Sequence, residues 1–116
     1  MASSKVVLAH GCFDPFHWGH VQHLKAARNL GEILIIAVTK DRSVNKGPRR
    51  PVFSEEQRAE MVLPYCDGTI LVDDSLQALQ EIDPDVFVKG REYEDKIETV
   101  HEAYCKARGI KIVFTD

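Results

Sequence analysis

Residues 11–20 carry the side chains best suited to chemistry. They read GCFDPFHWGH and lie between a short apolar run that ends at His10 and a helical pattern that begins at Val21. Backbone N–H groups at a helix start are unpaired and lie at the positive end of the helix dipole, so phosphate binds there readily. His17 and His20, three residues apart, can both donate hydrogen bonds to an α-phosphate whose negative charge grows during in-line attack. The spacing therefore predicts a nucleotide site.

Two other interpretations of these histidines stay open at this point. The pair may be read as caps of the helix that follows, which is the commoner role for an isolated His-x-x-His. His17, His20 and His23 also form a His-x-x-His-x-x-His string with Cys12 nearby, a pattern that indicates zinc. The sequence offers no evident second pair of zinc ligands, so we predict no metal among the site residues.

Cationic side chains follow the second apolar run. The candidates for binding a polyphosphate or the phosphate of a second substrate are Lys46, Arg49, Arg50 and Arg58. Guanidinium forks and lysine ammonium groups suit phosphate oxygens. The alternative is a solvated basic loop. Asp14 is predicted either to ligate a magnesium ion that bridges phosphates or to cap its own turn.

Hydrophobic patterning indicates the elements that position these groups. Strand-like and helix-like segments alternate along the whole chain, which predicts an α/β fold with a parallel sheet covered by helices on both faces. We predict helices near residues 21–30, 55–63, 76–82 and 93–108, with Ser54 and Gln57 as a capping box and Asp74 as an N-cap. The predicted strands are 6–9, 33–39, 69–72, 85–89 and 110–114. Ligands of such sheets bind beyond the carboxyl ends of the strands, where the histidine turn and the basic loop both fall.

Length and composition narrow the function class. The 116 residues are predicted to form one domain, 1–116, with a formal net charge of −3 that argues against a nucleic-acid partner. No apolar run is long enough to suggest a membrane span. The three cysteines, Cys12, Cys66 and Cys105, form no disulfide framework, so a cytoplasmic location is expected.

The motif at residues 11–20 resembles the G-x-F-D-x-x-H-x-G-H signature of the cytidylyltransferase-like nucleotidyltransferases. The resemblance continues through residues 37–41, Lys46-Gly47 with residues 50–52, Gln57-Arg58 and residues 88–90, and so covers nearly the whole chain. Within that family, the motifs resemble those of heptose-1-phosphate adenylyltransferase domains and of glycerol-3-phosphate cytidylyltransferase. The Lys-Gly…Arg-Pro-Val stretch favours the heptose type, and with it ATP over CTP.

The resemblance implies a Rossmann-like three-layer fold, a five-stranded sheet in the order 3-2-1-4-5 and a homodimer. It implies transfer of AMP, or of CMP, from the NTP to a phosphorylated sugar or polyol, with Mg²⁺ and release of pyrophosphate. The residues that it makes catalytic are His17, His20 and Lys46. Those expected to contact the nucleotide are Gly11, Cys12, Phe13, Gly19, Lys89, Gly90, Arg91 and Tyr93. Those expected to contact substrate or phosphate are Asp14, Arg50 and Arg58.

The chain departs from the family pattern at its end. A Ser/Thr-rich segment that opens a C-terminal helix and grips the β- and γ-phosphates in the family is expected directly after Thr115, where this sequence stops. We therefore expect residues 1–116 to lack that helix: either the sequence is a piece of a longer chain, or its grip on the triphosphate is incomplete. The alternative function is a nucleotide-binding module without turnover. A zinc-stabilised interaction domain is a third hypothesis.

Overall fold

A computed structural model describes residues 4–91 and 99–115 and contains one parallel sheet of five strands. The strand order is β3-β2-β1-β4-β5, which confirms the predicted order 3-2-1-4-5. The central strand β1 and its β-branched neighbour β2 are largely buried on both faces, as parallel strands usually are. The strands are β1 (Val6–Gly11), β2 (Ile33–Thr39), β3 (Gly68–Val72), β4 (Val86–Gly90) and β5 (Lys111–Thr115).

Helices connect successive strands. They are α1 (Trp18–Arg28), α2 (Glu55–Val62), α3 (Ser75–Ile82) and α4 (Thr99–Arg108), with short 3₁₀ turns at Asp41–Ser43 and Leu63–Tyr65. The predicted capping box of Ser54 and Gln57 opens α2, and Asp74 caps α3, so both local predictions are confirmed. Helix α1 begins at Trp18, three residues before its predicted start, because His17 serves as its N-cap.

The sheet separates two hydrophobic cores, which gives the three layers expected. One core joins Val7 and Ala9 of β1 to Leu24 of α1 and Val62 of α2. The other joins Leu8 of β1 to residues of α3 and α4. Side chains of a strand point alternately to opposite faces, so His10 projects toward the α3 and α4 layer.

A cleft opens at the carboxyl end of the sheet between β1 and β4. The β1–β2 ladder continues to the pair Gly11 and Val38, whereas the β1–β4 ladder ends at Ala9 and Val88. Chain order reverses between these two strands, which makes this the topological switch point where α/β sheets bind ligands. No helix of the described residues has the length and apolar character that crossing a membrane requires.

Candidate active site

The turn between β1 and α1 is built around two glycines. A Cβ on Gly11 would lie 2.8 Å from the ring of Phe13, and a Cβ on Gly19 would lie 2.9 Å from the ring of His17. Phe13 itself has a positive φ of 54° and is buried, so its ring cannot easily move away. Both glycines thus make room for aromatic side chains of the motif itself. Their contact with the nucleotide stays a prediction.

His17 and His20 cap α1 with one nitrogen each. The Nδ1 of His17 accepts a hydrogen bond from the Gly19 N–H at 3.0 Å, and the Nδ1 of His20 accepts from the His17 N–H at 3.2 Å. A neutral imidazole that accepts at Nδ1 carries its proton at Nε2. The capping role and the donor role are therefore compatible, because Nδ1 of each ring serves as the cap and Nε2 carries the N–H.

Aromatic packing fixes the positions of the two imidazoles. Their ring centroids lie 3.8 Å apart with planes 25° from parallel. His20 stacks on Phe16 at 5.8 Å and meets the edge of Phe13 at 5.2 Å. The histidines thus form a rigid pair of donors at the carboxyl edge of β1.

Arg58 lies beneath this turn and has no exposed surface. Its guanidinium donates to the carbonyl oxygens of Phe53 at 2.9 Å, Cys12 at 2.8 Å and Thr39 at 2.7 Å, and to a carboxylate oxygen of Asp41 at 2.7 Å. The direct phosphate contact predicted for Arg58 does not fit this position, since its donors are engaged inside the protein. Arg58 instead ties the β1–α1 turn to the end of β2 and to the start of α2.

The hydrogen bond from Arg58 also orients the next peptide group. The C=O and N–H of a trans peptide point in opposite directions, so holding the Cys12 carbonyl toward Arg58 directs the Phe13 N–H away from it. That direction is compatible with the nucleotide contact that the family resemblance implies for Phe13.

Asp14 is likewise internal. Its side chain is fully buried, and its carboxylate accepts from the Arg50 Nε at 2.7 Å and from the Val52 N–H at 2.7 Å. Burial alone would raise the pKa of this carboxyl, but the hydrogen bonds from Arg50, Val52 and Phe53 hold its pKa below the ordinary value. Neither oxygen is directed to a ligand, so the predicted magnesium contact does not fit, and Asp14 anchors the basic loop instead.

The basic loop consequently lies across the histidine turn. The Lys46 Nζ donates to the Asp14 carbonyl at 3.0 Å, and an Nη nitrogen of Arg50 donates to the same oxygen. Two cations separated from the turn by more than thirty residues in sequence thus meet at one carbonyl beside the histidine pair. The structure thus brings Lys46 and Arg50 to the histidine turn, and their contact with phosphate stays a prediction.

The other side of the cleft is formed by the end of β4. Lys89 and Gly90 are its last residues, Arg91 follows directly, and Gly90 pairs with Thr115 of β5. The Lys89 Nζ lies 5.6 Å from the ring centroid of Phe87. Tyr93, which the sequence also assigned to the nucleotide, lies outside the described residues.

The zinc hypothesis receives no support from the geometry. The Nδ1 of His23 contacts the Thr115 hydroxyl of β5, not the other two histidines of the string. Within residues 4–91 and 99–115, no three His, Cys, Asp or Glu side chains come together as metal ligands. Sequence reasoning also missed His10, whose ring nitrogens contact Ser75 and Thr39 at the same edge of the sheet. A polar residue at the end of an otherwise apolar strand was the available signal.

Known proteins share this fold and sequence pattern. A sequence model described as cytidylyltransferase-like matches residues 8–115. The chain is 41% identical over 119 residues to the bifunctional protein HldE of Methylobacillus flagellatus and 42% identical over 120 residues to that of Gluconobacter oxydans, across 97% of this chain in both cases. It spans 24% and 25% of those two relatives, about a quarter of their length.

Solved structures agree with the sequence relatives. The lipopolysaccharide core biosynthesis protein from Thermoplasma volcanium aligns with a TM-score of 0.81 at 28% identity, covering 98% of both chains. A protein with unknown function from Archaeoglobus fulgidus aligns with a TM-score of 0.76 at 26% identity, covering 97% of this chain and 89% of the other. The chain therefore belongs to the cytidylyltransferase-like family of nucleotidyltransferases.

Proposed function

We propose that this chain transfers AMP from ATP to the phosphate of a phosphorylated sugar or polyol and releases pyrophosphate. The observation that carries the proposal is the stacked histidine pair, which uses both Nδ1 atoms as helix caps and keeps both Nε2 atoms as proton carriers. Two N–H donors at a helix start, at the carboxyl edge of the sheet, suit a phosphate group.

In the proposed reaction, an oxygen of the acceptor phosphate attacks the α-phosphorus of ATP. The bond between that phosphorus and the oxygen bridging to the β-phosphate breaks, and pyrophosphate leaves with the bonding electrons. Negative charge on the α-phosphate oxygens is greatest in the transition state, so donors already aimed at them lower the barrier. His17 and His20 would supply these donors from the helix start.

Lys46 would neutralise charge where the acceptor phosphate meets the α-phosphate. Its ammonium now donates to the Asp14 carbonyl, a neutral acceptor that a doubly charged phosphate would outcompete. Arg50 would stay in place, because its Nε is paired with the buried Asp14 carboxylate, and would present its remaining edge to phosphate. Asp14 and Arg58 act in this scheme as positioning residues.

Mg²⁺ stays part of the proposal as the companion of the triphosphate. The Asp14 carboxylate does not fit as its ligand, since both oxygens accept hydrogen bonds from the basic loop. The phosphates themselves would hold the ion. A homodimer is proposed from the family resemblance. A cytoplasmic location is proposed because the thiols of Cys12, Cys66 and Cys105 are free.

The identity of the nucleotide and acceptor rests on the relatives. Identities of 41–42% to HldE proteins favour ATP and a heptose-type sugar phosphate over CTP and glycerol phosphate. The loop after Gly90, which would border the base, continues into residues outside the described part of the chain. The base is therefore proposed from the relatives and from the Lys-Gly…Arg-Pro-Val stretch.

A pyrophosphate-release assay tests the proposal. Purified protein is given ATP or CTP, Mg²⁺ and a panel of sugar phosphates and polyol phosphates, and product is expected for ATP with one sugar phosphate. The control is His23→Gln, which changes a histidine of the same helix that contacts β5. Nucleotide binding by calorimetry without any product from the panel would favour the module without turnover. Absence of nucleotide binding would contradict both.

A further inference from the structure

A hydrogen-bonded chain of side chains runs beneath the phosphate-binding turn from α3 to β1. The His10 Nδ1 lies 2.6 Å from the Ser75 hydroxyl oxygen, and its Nε2 lies 3.0 Å from the Thr39 hydroxyl oxygen. The Thr39 hydroxyl in turn donates to the Gly11 carbonyl at 3.3 Å. Ser75 and Thr39 are both buried, so this chain is shielded from water along most of its length.

The hydrogen bond from the Thr39 hydroxyl to the Gly11 carbonyl sets the direction of the other two bonds. The Thr39 hydroxyl has a single proton, and since it donates that proton to Gly11, it must accept from His10. His10 therefore carries a proton on Nε2. A neutral ring then has only a lone pair at Nδ1, so Ser75 must donate to it.

The surroundings keep the ring neutral. Burial of His10, together with the positive charge of Lys89, lowers its pKa to about 4, with Asp74 opposing and His101 adding to the effect. A protonated ring would carry a second N–H toward Ser75 and reverse that hydrogen bond. The neutral ring has one donor and one acceptor, which are what Thr39 and Ser75 require.

The end of this chain orients a peptide group that faces the cleft. The Gly11 carbonyl is held toward Thr39 of β2, and the C=O and N–H of a trans peptide point in opposite directions. The Cys12 N–H is therefore directed away from β2, toward the side on which β1 and β4 have separated. Arg58 holds the next carbonyl, that of Cys12, so two successive peptide groups are fixed by side chains.

We propose that His10 is a positioning residue for nucleotide binding: as a neutral Nε2–H ring it locks Thr39 onto the Gly11 carbonyl and thereby aims the Cys12 N–H at the phosphates. None of the three residues His10, Thr39 and Ser75 belongs to the motif at residues 11–20. The proposal rests on the proposed function for the identity of the ligand, a nucleoside triphosphate. The hydrogen-bond chain is a property of the free protein and can be tested separately.

Nitrogen NMR of the free wild-type protein provides the first test. We expect His10 to show a protonated Nε2 and an unprotonated Nδ1, and to keep that signature from pH 8 down to pH 5, about one unit above its lowered pKa. An Nδ1–H form, or titration near the ordinary histidine pKa, would overturn the proposal. This measurement needs no substrate and no variant.

The Thr39→Val substitution provides the second test, because it keeps the shape of the side chain and removes the last link. We expect ATP binding to weaken by about 2- to 10-fold, the worth of one neutral hydrogen bond, with the KM of the acceptor unchanged. Thr69→Val, the same change on β3, is the matched control. In His10 itself, His10→Gln keeps a donor for Thr39 and should bind ATP more tightly than His10→Phe.

The outcomes separate the two proposals. Wild-type affinity for ATP in Thr39→Val, with an unshifted Cys12 amide resonance, would overturn the positioning role. Loss of ATP affinity in Thr39→Val, in a protein that yields no pyrophosphate with any acceptor, would support the positioning role and contradict only the transferase activity. Equal loss in Thr69→Val and Thr39→Val would show a general effect on the sheet and would also overturn it.

Discussion

The two nitrogens of each site histidine can be separated by substitution. His17→Asn keeps a side-chain oxygen that can accept from the helix N–H groups, because asparagine is among the strongest N-caps, but it removes the Nε2 donor. His20→Gln does the same at the third helical position, where glutamine completes a capping box. His17→Ala removes both the cap and the donor. These variants distinguish a catalytic histidine from a structural one.

The expected magnitudes follow from the bonds observed. The caps, at 3.0 and 3.2 Å, are ordinary hydrogen bonds, so losing one in His17→Ala should cost about 1 kcal/mol, or roughly 4 °C in Tm for a chain of this size. The Tm of His17→Asn and of His20→Gln should fall by no more than about a third of that amount. A donor aimed at transition-state charge is worth about 100- to 1,000-fold in kcat, so all three variants should lose that much activity.

Thermal unfolding and pyrophosphate release, measured on the same protein samples, make the comparison. The reasoning about the histidines requires stability and activity to separate in His17→Asn and His20→Gln. If either variant keeps pyrophosphate release within about threefold of wild type, its imidazole does not act on the α-phosphate as an electrostatic donor. His23→Gln, on the same helix, should retain both properties.

Three further predictions concern buried groups. Arg58→Met keeps the aliphatic volume but leaves three carbonyls without a donor, so it should lower the free energy of unfolding by about 3 kcal/mol or more, measured by urea denaturation. Asp14→Asn removes the charge that pairs with Arg50 and should cost about 2 kcal/mol in thermal unfolding and weaken ATP binding measured by calorimetry. The pKa of His10 is lowered to about 4 in the folded chain, so its ring binds a proton more readily when the chain is unfolded. The free energy of unfolding of the wild type should therefore fall as the pH drops from about 6.5 to 4, by at most roughly 3 kcal/mol.

Each of these three predictions has a control variant or an outcome that would contradict it. Arg58→Lys retains charge but offers one ammonium in place of the planar fork, so its stability should lie between wild type and Arg58→Met. For Asp14, an unchanged Tm in Asp14→Asn would contradict the anchoring role. His10→Phe should remove its part of the pH dependence above pH 4, and a wild-type curve in that variant would assign the effect to other groups. The charged and titratable groups that act on His10 are those of Lys89, Asp74 and His101, and His10→Phe leaves all three unchanged.

Local sequence determined the elements and much of the site. Strand β2 was predicted with its observed bounds, and the caps of α2 and α3 were identified, because apolar runs and side-chain caps involve residues that are neighbours in the chain. The pair His17 and His20 is visible in the sequence as part of a turn at a helix start for the same reason. Their helix-capping and donor interpretations looked like alternatives, since the sequence does not say which nitrogen does what.

The roles of the charged residues were decided only by the tertiary structure. Arg58 and Asp14 look like ligand contacts in the sequence, yet both are buried, and their partners are backbone groups and side chains up to 46 residues away. In the sequence, His10 is only the last residue of an apolar run, and the folding of β2 and α3 brings Thr39 and Ser75 to its two nitrogens. A sequence reveals which side chains are able to bind phosphate. Whether their donors are already engaged depends on contacts between distant segments, which exist only after the sheet has formed.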